Sequence, residues 1–146
     1  MDLRTAAPAA ELAVTLESVV RLVRRLSPAT GLSFTAAGVL AALERSGPRR
    51  LTELANAEGV SQPAMTQLIS RLQDSGLVER VADEHDRRVV QVHITKAGRD
   101  QVAYRRQVRA ERLAELLDEL DPAHYEALTA AIPAINALRE LAGMQQ

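Results

Sequence analysis

The sequence predicts a mainly α (α+β) chain, and three observations lead to that class. Apolar residues recur at helical spacing in several stretches, sharp turn signals separate those stretches, and one short region over 77–94 changes to strand-like alternation. With 146 residues and 47% hydrophobic content the chain can bury one core, so a single domain, or one compact unit with extensions, is expected.

The elements follow in order. Leu12, Leu16, Val19, Val20, Val23 and Leu26 repeat at helical spacing until Ser27-Pro28 and Gly31 stop the pattern. Ser33 can cap a second helix over about 34–45, whose apolar stripe is Val39, Leu40 and Leu43, and Ser46-Gly47-Pro48 breaks it. Thr52 opens a short helix that runs to Glu58, Gly59 makes the turn, and the Ser61 hydroxyl caps the next helix over about 62–75. In that helix Met65, Leu68, Ile69 and Leu72 face inward, leaving Gln62, Thr66, Gln67, Ser70 and Gln73 outward. Met65 is read as a core anchor rather than a ligand contact because it keeps register with Leu68, Ile69 and Leu72. Gly76 ends the helix, 77–82 reads as a strand, 83–86 as a polar turn, and Val90, Val92 and Ile94 as the return strand. Thr95 caps a long helix over about 97–119, and Asp121-Pro122 starts a last one running toward Leu141. Apolar stripes on such long flanking helices need a partner, and a second copy of the chain supplies one.

Composition narrows the function classes. Aromatic content is 2%, limited to Phe34, Tyr104 and Tyr125, which argues against a stacking platform for single-stranded nucleic acid and permits duplex recognition. The formal net charge is −1, yet residues 45–112 carry 13 basic and 9 acidic side chains, so the local field is positive. The absence of cysteine excludes disulfides, thiolate chemistry and cysteine-based zinc sites. The uncharged run from Leu26 to Leu43 contains Pro28 and Gly31 and fails as a membrane helix, and the start shows no signal-peptide pattern, so a cytoplasmic protein without membrane contact is expected. Catalysis is not expected: His85, His93 and His124 are the general-base candidates by pKa, and none forms a spaced triad or metal motif. No glycine loop is suited to cradle phosphate, and no cofactor or metal site is read.

A helix that reads duplex DNA needs short, uncharged hydrogen-bonding side chains on one face and a core on the other. Gln62, Thr66 and Gln67 meet that description, and Pro63 and Ala64 offer apolar contact near the helix start. Ser61 and the free amides around it can hold a phosphate, and Ser70 and Arg71 are positioned for further phosphate or base contacts one turn later. Arg80, Arg87 and Arg88 put guanidiniums on the following hairpin, where a wing arginine can enter a narrow minor groove; Asp86 orders the turn or pairs an arginine. Arg87 and Arg88 as mere solvation of an exposed loop is the weaker alternative. The cluster Arg105-Arg106, Arg109 and Arg112 leaves two readings open: contact with the DNA backbone, or a solvated face paired with nearby acids.

Three motifs in this order, LTELANAEGVSQPAMTQLISRLQDSGLVER, then DEHDRRVVQVHIT with its Asp86-Arg87-Arg88, then the Lys96-Ala97-Gly98 opening of the long helix, make the chain resemble the MarR family of winged helix-turn-helix regulators over nearly its whole length. The resemblance implies a homodimer with interlocked terminal helices on a pseudo-palindromic double-stranded operator. It also implies a small effector, often aromatic or otherwise apolar, in a cleft between the dimer and DNA-binding regions. Carried over by position, Ser61, Gln62, Pro63, Ala64, Thr66, Gln67 and Arg71 are implied recognition-helix contacts, and Arg88 resembles the family's wing arginine. Departures from the pattern are Gln67, where arginine is common, Glu84-His85, where proline often follows the aspartate, and Ala37-Gly38 in place of bulkier residues, a change expected to enlarge or reshape the cleft. The expected organisation is an N-terminal dimerisation helix over 1–32, a winged helix-turn-helix DNA-binding region over 33–95, and C-terminal dimerisation helices over 96–146. The rival class is a protein-binding or architectural dimer module without operator specificity.

Overall fold

The computed structural model describes residues 3–82 and 89–144. The chain forms two compact units, Met1–Arg109 and Ala110–Gln146. The first contains α1 (Leu3–Leu26), α2 (Phe34–Ser46), β1 (Arg49–Arg50), α3 (Leu51–Glu58), α4 (Gln62–Asp74), β2 (Val78–Ala82), β3 (Val90–Ile94) and the first part of α5 (Lys96–Asp118). The second holds the rest of α5 and α6 (Pro122–Met144).

In the first unit, α2, α3 and α4 close one core around the small sheet. Val39, Leu40 and Leu43 of α2 meet Leu54 and Ala55 of α3, Met65, Ile69 and Leu72 of α4, Val78 and Val92 of the sheet, and Val102 of α5. Met65 and Ile69 are completely buried, while Leu68 sits half-buried at the rim. The helical spacing of these residues therefore directs one face of α4 into the core and leaves the opposite face in solvent.

The helix starts are built as their residue types require. Ser33 Oγ accepts from the Ala36 N–H at 3.1 Å, and Ser61 Oγ accepts from the Ala64 N–H at 3.4 Å. Thr95 does two things at once: its Oγ1 accepts from the Gly98 N–H at 3.1 Å and donates to the Gly76 carbonyl at 2.7 Å, tying the start of α5 to the end of α4. The third helix begins one residue before the expected Thr52. The Arg50 N–H donates to Glu53 Oε2 at 2.8 Å, so the carboxylate reaches back over the first turn and Leu51 is already helical. Gly59 takes φ +63 between α3 and α4, a left-handed conformation that suits glycine and sets the turn between the two helices.

The sheet contains a strand that periodicity does not foresee. Its order is β1-β3-β2, all antiparallel, with Arg49 opposite Val92, Arg50 opposite Gln91, and Val78 opposite Ile94. Two exposed arginines have no strand signature of their own, and it is the free edge of β3 that makes them one. At the other end of the unit α1 also starts earlier than the first apolar repeat, carried back by an alanine-rich segment. Its last turn meets the start of α2, where the Arg24 guanidinium lies 4.5 Å from the Phe34 ring centroid.

α1 leaves Leu12, Leu16, Val19 and Val20 exposed. In the second unit α6 starts at Pro122, and Asp121 Oδ1 accepts from the His124 N–H at 3.0 Å. That backbone bond, followed by the contact with the His124 ring, holds the Asp121 carboxyl below its ordinary value. Leu128, Ile132, Ile135, Leu138 and Leu141 repeat at helical spacing along α6 and are exposed.

Candidate nucleic-acid interface

α4 presents the expected face. Ser61, Gln62, Pro63, Ala64, Thr66, Gln67 and Arg71 are all exposed, whereas Ser70 is half-buried. The hydroxyls are already engaged: Thr66 Oγ1 donates to the Gln62 carbonyl at 2.9 Å, and Ser70 Oγ donates to the Thr66 carbonyl at 3.0 Å. Toward a duplex, Thr66 therefore offers a methyl group and lone pairs, while Gln62 and Gln67 each carry an amide with both a donor and an acceptor. The Ser61 cap fixes the direction of the helix start, whose free N–H groups suit an anion. Replacing Ser61 with alanine is expected to cost about 1 kcal/mol of stability, as for other N-caps, read as a lowered midpoint in urea at unchanged m-value.

Arg80 is half-buried and does not point into solvent. It turns back onto α4, donating from Nη1 to Gln73 Oε1 at 3.0 Å and from Nη2 to Ser70 Oγ at 3.1 Å, with a longer contact to the Thr66 carbonyl at 3.4 Å. The sequence carries a signal for this: Arg80 is two residues from buried Val78, and alternate residues of a strand share a face. Arg87 and Arg88, with Asp86 and Glu84-His85, lie outside the described residues.

Within the basic cluster on α5, Arg105 follows neither sequence reading, whereas Arg106 is exposed and paired with an acid, as the second reading expects. Arg105 is neither solvated nor presented to DNA; it is 5% exposed, and its Nη1 donates to Thr30 Oγ1 at 2.7 Å and to the Pro28 carbonyl at 3.2 Å. It ties the α1–α2 connection to α5. Burial, then the neighbouring Arg109 charge, lowers its pKa from the ordinary arginine value. Arg106 pairs with Glu44 of α2 at 2.6 Å.

Among the hollows beside these elements, two are lined by residues named above. One, of about 360 Å³, opens beside α4 and is lined by Ser33 and Ala36 on one wall and by Ala64, Gln67, Leu68 and Arg71 on the other. The second, between α2 and α5, is lined by Ala37, Leu40, Ala41, Val102 and three arginines and holds only about 50 Å³. The space beside Gly38 is taken by a carboxylate: a Cβ at that position would stand 2.9 Å from Glu58 Oε2. Burial raises the pKa of Glu58, and the Arg45 charge opposes that shift.

Among the described residues no group of three or more histidines, aspartates and glutamates could hold a metal ion. His93 is half-buried on β3, and His124 contacts Asp121. No described helix is long and apolar enough to cross a membrane.

Helices α3 and α4 joined at Gly59, with an antiparallel hairpin directly after, define a winged helix-turn-helix, a class that presents its second helix to the major groove. The model of the MarR family matches residues 30–89. An uncharacterized HTH-type transcriptional regulator of Mycobacterium bovis is 31% identical over 130 residues, covering 89% of this chain and 91% of the relative. The HTH-type transcriptional repressor MdtR of Bacillus subtilis is 32% identical over 95 residues, 61% of either chain. The crystal structure of a putative transcriptional regulator from Pseudomonas aeruginosa superposes with a TM-score of 0.78 at 28% identity, over 95% of this chain and 98% of that one. The chain belongs to the MarR family and is a DNA-binding transcriptional regulator.

Proposed function

We propose that the protein is a homodimeric repressor that occupies a pseudo-palindromic operator and leaves it when a small effector binds. The observation that carries this reading is α4: a capped helix whose inner face is buried to the last atom at Met65 and Ile69 and whose outer face offers Gln62, Thr66 and Gln67 to solvent. Ser61, Pro63, Ala64, Ser70 and Arg71 complete the helix's contact surface, and Arg87 and Arg88 of the wing add guanidiniums for the phosphates and the minor groove. The exposed apolar stripes of α1 and α6 support dimerisation through the terminal helices, over 1–32 and 96–146, because single copies rarely leave rows of large apolar side chains in water. In such a dimer two copies of α4 would enter major grooves one helical turn, roughly 34 Å, apart. Its place of action is then the cytoplasm.

Support for repression comes from MdtR, a named repressor that matches this chain over 95 residues. The hollow beside α4 supports an effector: its size lies within the range of about 300–1,000 Å³ usual for small-molecule sites, and an aromatic or other apolar ligand there would lie against Gln67 and Arg71. A coupling of about 1–3 kcal/mol is enough to change operator affinity from severalfold to a hundredfold.

Selection of genomic fragments with the purified protein, followed by mobility shifts against scrambled competitor, tests the reading. The expected result is a two-fold symmetric site whose binding weakens steeply with salt and still exceeds binding to scrambled duplex by about 10³-fold or more. Equal affinity for both duplexes at moderate salt would replace it with an architectural or protein-binding dimer.

A further inference from the structure

We propose that Arg80 is a positioning residue for base reading: it pins the roll of α4 against the wing strand, so that sequence discrimination depends on a side chain that itself contacts no base. This rests on the proposal that α4 reads an operator.

The geometry is specific. Thr66, Ser70 and Gln73 lie at i, i+4 and i+7, one stripe along the flank of α4, between its buried face and its exposed one. A single guanidinium on β2 reaches all three, through Gln73 Oε1 at 3.0 Å, Ser70 Oγ at 3.1 Å and the Thr66 carbonyl at 3.4 Å. The Ser70 hydroxyl passes the connection on to the Thr66 carbonyl at 3.0 Å. The planar fork of arginine can hold two acceptors on successive turns at once, whereas an ammonium on a shorter reach is a point charge. Apolar packing of Met65, Ile69 and Leu72 determines which face of the helix is inward but is non-directional, and it tolerates small rolls. The directional bonds from Arg80 remove that freedom. A roll of α4 displaces the Gln62 and Gln67 amides at the ends of their side chains, and hydrogen bonds to base edges lose strength steeply with misalignment. Phosphate contacts, made by mobile charged groups over a broad range of geometries, tolerate the same roll. The consequence is an unequal one: loss of Arg80 should harm binding to the operator and spare binding to other DNA.

The test compares the full-length protein with its Arg80→Lys, Arg80→Gln and Gln73→Ala variants. Each is titrated with the selected operator duplex and with a scrambled duplex of equal length over a series of salt concentrations. Arg80→Lys should lower the operator-to-scrambled affinity ratio about tenfold, the scale of a hydrogen bond to a charged group, with the salt slope on scrambled DNA unchanged. Gln73→Ala added to Arg80→Lys should cause no further loss in the ratio, because the two changes break one connection. The proposal is overturned if lysine preserves wild-type discrimination. It is equally overturned if Arg80→Gln weakens both duplexes by the same factor and lowers the salt slope by about one per subunit, the behaviour of a phosphate contact. Should Arg80→Gln fail to fold, the lysine variant and its double-mutant cycle with Gln73→Ala decide between these outcomes. A wild-type protein without operator preference would remove the reading of α4 itself; a discriminating wild type matched by Arg80→Lys would remove only the role of Arg80.

Discussion

Replacing Gln67 with alanine is expected to weaken operator binding by roughly 30-fold or more while leaving the fold intact. A good two-point contact between a glutamine amide and a base edge is worth about 1–3 kcal/mol of discrimination, and a symmetric dimer loses it in both half-sites. The sum, about 2–6 kcal/mol, corresponds to roughly 30-fold at the low end, taking 1.4 kcal/mol for each tenfold change. Gln67 is exposed on α4 and contributes no core area, so thermal unfolding of the variant should stay within about 0.5 kcal/mol of the parent. Affinity for scrambled DNA should be nearly unchanged, because an uncharged side chain releases no counterions. A Gln67→Ala protein with wild-type preference for the operator would move base reading to Gln62 and the helix start. The related change Gln67→Arg should raise affinity for all duplexes and shift the preferred base toward guanine, the usual partner of arginine.

Replacing Gly98 with alanine should be the most damaging single-methyl change in the described part of the chain. A Cβ at Gly98 would stand 2.2 Å from the Leu77 carbonyl oxygen and 2.7 Å from Ile94 Cγ1. The first of these neighbours is backbone, and the Leu77 carbonyl already accepts from the Thr95 N–H at 3.1 Å, so it cannot turn aside without breaking that bond. Overpacking of this kind costs about 1–3 kcal/mol and occasionally more, against which alanine recovers about 1 kcal/mol of helix propensity. We expect a net loss of about 2 kcal/mol, or roughly 4–8 °C in Tm for a chain of this size. Gly143→Ala is the matching control. Nothing lies within 4 Å of its added methyl, so it should be neutral or slightly stabilising. A Gly98→Ala protein that melts with the parent would mean that α5 can leave the strand end without cost.

Most of the fold is local in origin, and so it is legible in the sequence. Ser33, Ser61 and Thr95 announce helix starts because a short hydroxyl next to free N–H groups is a local solution to a local problem. Met65, Ile69 and Leu72 announce the inner face of α4 because three- and four-residue spacing requires no knowledge of what they will touch. The outward positions Gln62, Thr66 and Gln67 follow by exclusion.

Apart from the early starts of α1 and α3, which are local, the differences between sequence and structure have non-local causes. Arg49 and Arg50 form a strand because β3 has a free edge, and two arginines carry no periodicity to say so. Gly38 has no side chain to announce a neighbour, yet Glu58, twenty residues away in sequence and adjacent in space, places its carboxylate where a Cβ would stand. Arg105 has the sequence context of a surface charge, yet the Pro28 carbonyl and the Thr30 hydroxyl, presented by the α1–α2 connection, take its guanidinium inside.

By itself, then, the sequence determined the helices, their caps, the buried and exposed faces of α4, and the family resemblance, all of which depend on residues within a few positions of one another. Only the tertiary structure decided what the arginines do. A guanidinium on a long side chain is indifferent to its own secondary structure, and its role depends on which acceptors the fold brings within reach: helix flank for Arg80, loop carbonyl for Arg105, and Glu44 for Arg106.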